Sequence, residues 1–234
     1  MSHNNITLVS GYWPVKNKHT HESYSQWFNN TLKINQRMYF FCDKERNSQI
    51  AQHRKDYETI FVDHTIDKFL SHWYYKEDWY HPAHIPSIEL GKIWHEKINM
   101  MKLAKDMDGE NATDFYVWVD AGICAYRNSP PPSKLLNLKD VDELPHDSIC
   151  YSESYPPEPE HKYAGTCHII HKDLIDNIHH LYYEQVKLCG HKYKDWRCGS
   201  DQVVFTELMK AYPRLFTKIS QGYGGNLIKL YDFC

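Results

Sequence analysis

The stretch that most constrains this chain is Phe115-Tyr-Val-Trp-Val119. It is an unbroken apolar and aromatic run that meets a single carboxylate, Asp120, and then a glycine, Gly122. A run with no polar alternation reads as a strand buried on both faces. Such strands lie at the centre of α/β sheets, and ligands of open α/β sheets bind just beyond the carboxyl ends of the strands. Asp120 stands at that end. Gly122 lets the backbone come close to something bulky. Asp and Gly are also ordinary turn residues, so this stretch alone leaves a ligand site and a plain turn as equal readings.

Other segments repeat the pattern. Ile6–Ser10 is β-rich and runs into the turn Gly11-Tyr-Trp-Pro14. Arg37–Asp43 and Thr59–Asp63 read as strands that also finish on carboxylates. Asp43, Asp63 and Asp120 would then form a row of polar groups along one sheet edge, where a ligand lies. Residues 20–33 predict an amphipathic helix with Tyr24, Trp27, Phe28 and Thr31 on one side. A second helix runs from the cap Ser87 to about Met107, with the acid Glu89 in its first turn. Its stripe is Leu90, Ile93, Trp94, Ile98, Met101 and Ala104, and Lys97 falls inside it. A lysine there either snorkels to the surface or meets an anion such as a diphosphate. Gly91 costs about 1 kcal/mol relative to Ala in a helix interior, which points to a close approach at that position.

Between these helices, residues 69–86 carry six aromatic rings and three histidines without helical or strand periodicity. They read as a loop packing its own rings or as a lid or acceptor platform. After the breaker Ser129-Pro-Pro-Pro-Ser133, residues 134–147 are polar and irregular. Ser148–Ser152 reads as a strand, Pro156–Glu160 as an exposed loop, and Gly165–His171 as a strand leading into a helix capped by Asp173. Ser200 can cap a further helix whose first turn holds Asp201 and Gln202. Asp201 is either a simple first-turn acid or a carboxylate in a pocket rimmed by Trp196. The chain ends in a strand and a glycine loop around Gly222, Gly224 and Gly225. That loop either closes over phosphates with its amides or forms a mobile tail.

Composition excludes several classes. The 234 residues suit one large α/β domain or two small ones, and a net charge of −3 provides no basic field for nucleic acid. No apolar run approaches the roughly 18–20 residues that span a bilayer. The N-terminal Met-Ser-His-Asn-Asn lacks the layout of a signal peptide, so a cytoplasmic location is expected. Seven cysteines without a CxxC pair fit free thiols. Cys189, His191 and Cys198 match no zinc spacing.

Taken in order, these parts form a pattern: Ser10-Gly-Tyr-Trp13 after the first strand, Trp94-His-Glu-Lys97 on a helix, Trp118-Val-Asp120-Ala-Gly122, Asp201-Gln202 opening a helix, and a closing glycine loop. The chain resembles the HtrL/YibB-like glycosyltransferases, within the GT-A nucleotide-sugar transferases, over most of its length. The resemblance implies an α/β, Rossmann-like GT-A fold, with a mixed, mostly parallel central sheet flanked by helices in a single domain. Residues 1–128 would be the nucleotide-sugar-binding half and 129–234 the acceptor-binding half. It implies transfer from a nucleoside-diphosphate sugar, with a UDP-sugar favoured, to a hydroxyl of a glycan or glycoconjugate. By position, Ser10, Gly11, Tyr12, Trp13 and Asp43 would hold the nucleotide and Lys97 would face the diphosphate. Asp120, with Gly122 behind it, would stand for the last carboxylate of a DxD-like motif. Gly224 would belong to the phosphate-closing loop, and Asp201 with Gln202 would approach the reacting sugar or acceptor. Trp118 fills the place of the first DxD carboxylate. The metal expected is Mn²⁺ or Mg²⁺ bridging the diphosphate, with Asp120 as its protein ligand. The alternatives are a sugar nucleotidyltransferase, which normally wants a glycine- and basic-rich loop near its start, and an inactive sugar- or nucleotide-binding module.

Overall fold

The alternation along the central run sets the architecture. The structure is a computed structural model that describes residues 5–234. The opening Met1–Asn4, part of the segment read against a signal peptide, lies outside the described residues. Phe115–Val119 forms β4, beside β1 (Ile6–Gly11) and in parallel with it. Ile6, Leu8, Phe115, Val117 and Val119 join one hydrophobic cluster, whereas Val9, Tyr116 and Trp118 join another. Side chains of a strand point alternately to the two faces, so the sheet has a core on each side.

Helices α1 (His21–Thr31), α2 (Asn47–Arg54) and α6 (Gly225–Phe233) cover one face through Phe28, Ile50, Leu227 and Leu230. Helices α3 (Ile88–Asp108), α4 (Lys172–Lys192) and α5 (Asp201–Ala211) cover the other through Ile98, Met101, Ile178, Tyr182 and Phe205. The remaining strands are β2 (Met38–Cys42), β3 (Thr59–Asp63), β5 (Ile149–Glu158), β6 (His161–Tyr163), β7 (Cys167–His171) and β8 (Phe216–Gln221). The order is β3-β2-β1-β4-β7-β5-β6, with β8 paired to β5. Strands β3, β2, β1 and β4 run parallel, β7 is antiparallel to both β4 and β5, and β8 is parallel to β5. This is the mixed, mostly parallel α/β sheet of a single domain that the sequence predicts.

The differences have local causes. Helix α2 carries little apolar periodicity; it is anchored by Ile50 and by buried Arg54, which donates to the carbonyls of Leu32, Ile34 and Gln36. The expected exposed loop at Pro156–Glu160 is exposed, but β5 continues to Glu158 and turns back into β6. Helix α4 is capped by His171, whose Nδ1 accepts from the Asp173 N–H, so Asp173 is the first-turn acid rather than the cap. The glycine loop is no mobile tail: Gly225 opens α6, and Leu227, Leu230 and Tyr231 are buried. In the aromatic segment, Phe69, Tyr75 and Trp79 are buried in the core, while Trp73 is 80% exposed. Its 3₁₀ turn at Leu70–Trp73 is held by Glu96 of α3, which accepts from the N–H groups of Leu70 and Ser71.

Candidate active site

Helix α3 packs along β4, and the stripe position of Lys97 brings its ammonium to the carboxyl end of that strand. There Lys97 is 3% exposed. Its Nζ donates to the Gly165 carbonyl at 2.7 Å and lies 3.0 Å from Asp201 Oδ2 and 3.2 Å from Asp120 Oδ1. Lys97 therefore does not snorkel. Burial alone would lower its pKa, but Asp120 and Asp201 reverse that and hold it above the ordinary lysine value. The ammonium stays charged.

Asp120 is fixed from the other side as well, since Trp118 Nε1–H donates to its Oδ1 at 2.7 Å. Its side chain keeps 31% exposure. Asp201, the first residue of α5, is 2% exposed, and burial pushes its carboxyl above the usual range while Lys97 opposes the shift. Gly165 permits this assembly, because a Cβ there would stand 2.9 Å from Asp201 Oδ2 and 3.1 Å from Oδ1.

This triad forms one wall of a cavity of ≈ 250 Å³, also lined by Lys18, His19, Tyr24, Trp94, Cys124, Arg127, Gln202 and Tyr223. Two hollows adjoin it and share residues with it. One, of ≈ 70 Å³, is lined by Gly11, Tyr12, Trp13, Asn17 and Gly122 and shares Tyr24, Lys97, Asp120 and Arg127. The other, of ≈ 220 Å³, shares Lys18, Trp94, Gln202 and Tyr223 and is walled by His84, Tyr155, His161 and Trp196. His84 stacks on Trp196 with ring centroids 4.8 Å apart.

The structure thus brings together Gly11, Tyr12, Trp13, Lys97, Asp120, Gly122, Asp201 and Gln202. It does not bring Ser10, Asp43 or Gly224 to these hollows. Ser10 is fully buried and its Oγ donates to the Val119 carbonyl, tying β1 to β4. Asp43 follows β2, on the far side of β1 from Asp120. Gly224 has φ +86, and a Cβ there would meet Ile123 at 2.9 Å, so it shapes the turn into α6. Amides of that loop are engaged within the fold, Gly222 N–H on the Glu153 carbonyl and Asn226 N–H on Ser152 Oγ. The bulky neighbours of Gly122 are Trp27 and Tyr24, which a Cβ at that position would meet at 2.8 and 2.9 Å, and those of Gly91 belong to the Tyr75 ring.

Sequence reading misses Lys18, Trp94 as a cavity wall, Arg127 and Tyr223. Arg127 closes the Asp120 loop: its Nε donates to the Gly122 carbonyl at 2.7 Å and its guanidinium lies 3.7 Å from the Trp27 ring centroid. Its place at the end of the same segment as Asp120 is the signal that could have found it.

The protein's own donors for a divalent ion are few. Asp120 Oδ1 already faces an indole N–H and an ammonium, which leaves one carboxylate oxygen. The other nearby carboxylate, Asp201, is buried against the same ammonium. Among the described residues no group of three or more His, Cys, Asp or Glu side chains could hold a metal ion.

Among solved structures the chain is similar to apo mouse xyloside xylosyltransferase 1, with 11% identity, a TM-score of 0.56, and coverage of 92% of this chain and 84% of that one. With the sheet order above, this likeness shows an α/β GT-A-like fold. No protein-family model matches the chain. No curated protein matches it. Among the described residues no helix is long and apolar enough to cross a membrane.

Proposed function

We propose that the chain transfers a sugar from a nucleoside-diphosphate donor, with a UDP-sugar favoured, to a hydroxyl of a glycan or glycoconjugate, in the manner of the HtrL/YibB-like transferases it resembles. One observation carries this reading: Asp120, from residues 1–128, and Asp201, from residues 129–234, face one cavity across a shared buried ammonium. The first half then binds the nucleotide-sugar and the second the acceptor.

The donor lies in the ≈ 250 Å³ cavity beside Asp120, and the adjoining hollow of Gly11, Tyr12 and Trp13 takes only part of the nucleotide. Asp120 has a partly exposed carboxylate at the donor sugar. Aromatic faces suit sugar rings, so the acceptor occupies the hollow walled by the His84–Trp196 stack. In the reaction the acceptor oxygen bonds to the anomeric carbon while the bond from that carbon to the diphosphate oxygen breaks. The bonding pair leaves with the diphosphate, through an oxocarbenium-like transition state. The hydroxyl proton passes to Asp201, whose burial favours the protonated form. Gln202, beside Asp201 and in contact with both cavities, orients the acceptor.

Thermal shift against UDP, GDP, CDP and ADP tests the donor reading. A nucleotide at ~100 times its dissociation constant adds about 2.7 kcal/mol of stability. Release of free sugar from the matching donor then separates an active transferase from an inactive binding module. No shift with any of the four nucleotides, either in EDTA or with Mn²⁺, refutes the donor reading.

A further inference from the structure

Two cations of the central cavity have no carboxylate of their own. Among the described residues, Lys18 and Arg127 form no ion pair; Lys18 lies over the Trp94 ring at 5.8 Å, and Arg127 uses only Nε for its hydrogen bond. Lys97 is in the opposite condition, with its ammonium engaged by Gly165, Asp120 and Asp201. The triad on its own carries an excess of one negative charge and would repel a diphosphate. Lys18 and Arg127 reverse the sign, giving the wall three cations against two carboxylates.

The charge is placed to act. Both residues line the same cavity as Asp120, and Arg127 also lines the adjoining hollow that leads to Tyr12 and Trp13. Arg127 is stacked on Trp27 and tethered to Gly122, so its plane is fixed, while Nη1 and Nη2 make no hydrogen bond or ion pair among the described residues. A fixed guanidinium edge matches two phosphate oxygens, whereas a lysine adds a mobile point charge. Burial lowers the pKa of the neighbouring His19, and the Arg127 and Lys18 charges act in the same direction.

Resting on the donor reading above, we infer that Lys18 and Arg127 bind the donor diphosphate and neutralise the leaving group in place of a divalent metal, and that Lys97 positions the two carboxylates instead of contacting phosphate. The charge that develops on the departing diphosphate oxygen is met by these two side chains.

The test is nucleotide binding by calorimetry, using whichever of UDP, GDP, CDP or ADP shifts the melting temperature, in EDTA and again with Mn²⁺. The expected affinity in EDTA lies within about threefold of that with Mn²⁺. Lys18→Met and Arg127→Met should each weaken binding about tenfold or more, since charge-assisted hydrogen bonds are being removed. Arg127→Lys should recover only part, because it restores charge without the fork. Inorganic diphosphate in EDTA should bind the wild type more weakly than the nucleotide and lose affinity in the same variants. Binding that vanishes in EDTA and returns with Mn²⁺, or variants that keep wild-type affinity, would overturn this inference and leave the donor reading standing. Absence of binding by every nucleotide in both buffers would overturn the donor reading and this inference with it.

Discussion

Lys97 Nζ lies 3.0 Å from Asp201 Oδ2, and the same ammonium reaches Asp120 Oδ1 at 3.2 Å. One buried cation therefore holds together carboxylates from the two halves of the chain. Lys97→Met keeps most of the volume but leaves a buried carboxylate unpaired. Removing one partner of a buried pair typically costs about 3–5 kcal/mol. Asp201→Asn should cost less, because Lys97 keeps Asp120 and the Gly165 carbonyl. The double variant should recover part of the Lys97→Met loss, a coupling that a double-mutant cycle in urea measures. A Lys97→Met protein within about 1 kcal/mol of wild type would show that the ion pair does not hold the site together.

The sequence singles out this lysine and both carboxylates but not the contact between them. The stripe of α3 places Lys97 inside a buried face, and the run at β4 places Asp120 at a strand end, because both follow from local periodicity. The convergence of Asp201 on them depends on β7 and α5 arriving beside β4, which no local pattern encodes. The same limit explains Lys18 and Arg127, since a lone cation acquires meaning only from the wall it joins. It also explains Ser10, which the resemblance sets at the nucleotide but which points inward to the Val119 carbonyl. Helix α2 is invisible in the sequence because its anchor is a buried arginine instead of an apolar stripe.

Gly91 gives a prediction opposite to helix propensity. In an unhindered helix interior Gly→Ala stabilises by about 1 kcal/mol. Here a Cβ would stand 1.9 Å from Tyr75 Oη and 2.4 Å from Cζ. Tyr75 is buried and also abuts Gly199, so its ring has little room to withdraw. Gly91→Ala should therefore lower stability by about 1–3 kcal/mol, the range for overpacking. An increase in the urea midpoint would show that the Tyr75 ring yields easily.

His95 links stability to acid. It is fully buried, with Nδ1 2.8 Å from the Tyr182 hydroxyl and Nε2 2.9 Å from the Cys198 carbonyl. Burial lowers its pKa from 6.5 to about 4, with the Lys97 charge acting in the same direction and backbone hydrogen bonds opposing. A depressed folded value means that the fold favours the neutral ring. The contribution is complete above pH 6.5 and is lost as pH falls through about 4, amounting to about 3 kcal/mol. Urea unfolding from pH 7 to 4 should show a shallower decline in His95→Gln than in the wild type. Equal slopes would remove His95 from the acid response.

Cys124 offers a test of where the nucleotide sits. It is exposed and lines the cavity with Asp120 and Arg127, whereas Cys42, Cys150, Cys167, Cys189 and Cys198 are buried and Cys234 is half-buried. A thiol reagent should therefore modify Cys124 in the fastest phase, and Cys124→Ser should lose that phase. If a bound nucleoside diphosphate covers the thiol, labelling slows by the fraction of protein left free, about tenfold at ~10 times the dissociation constant. A nucleotide that raises the melting temperature yet leaves the fast phase unchanged would be bound elsewhere, and the cavity between Asp120, Arg127 and Asp201 would lose its assignment as the donor site.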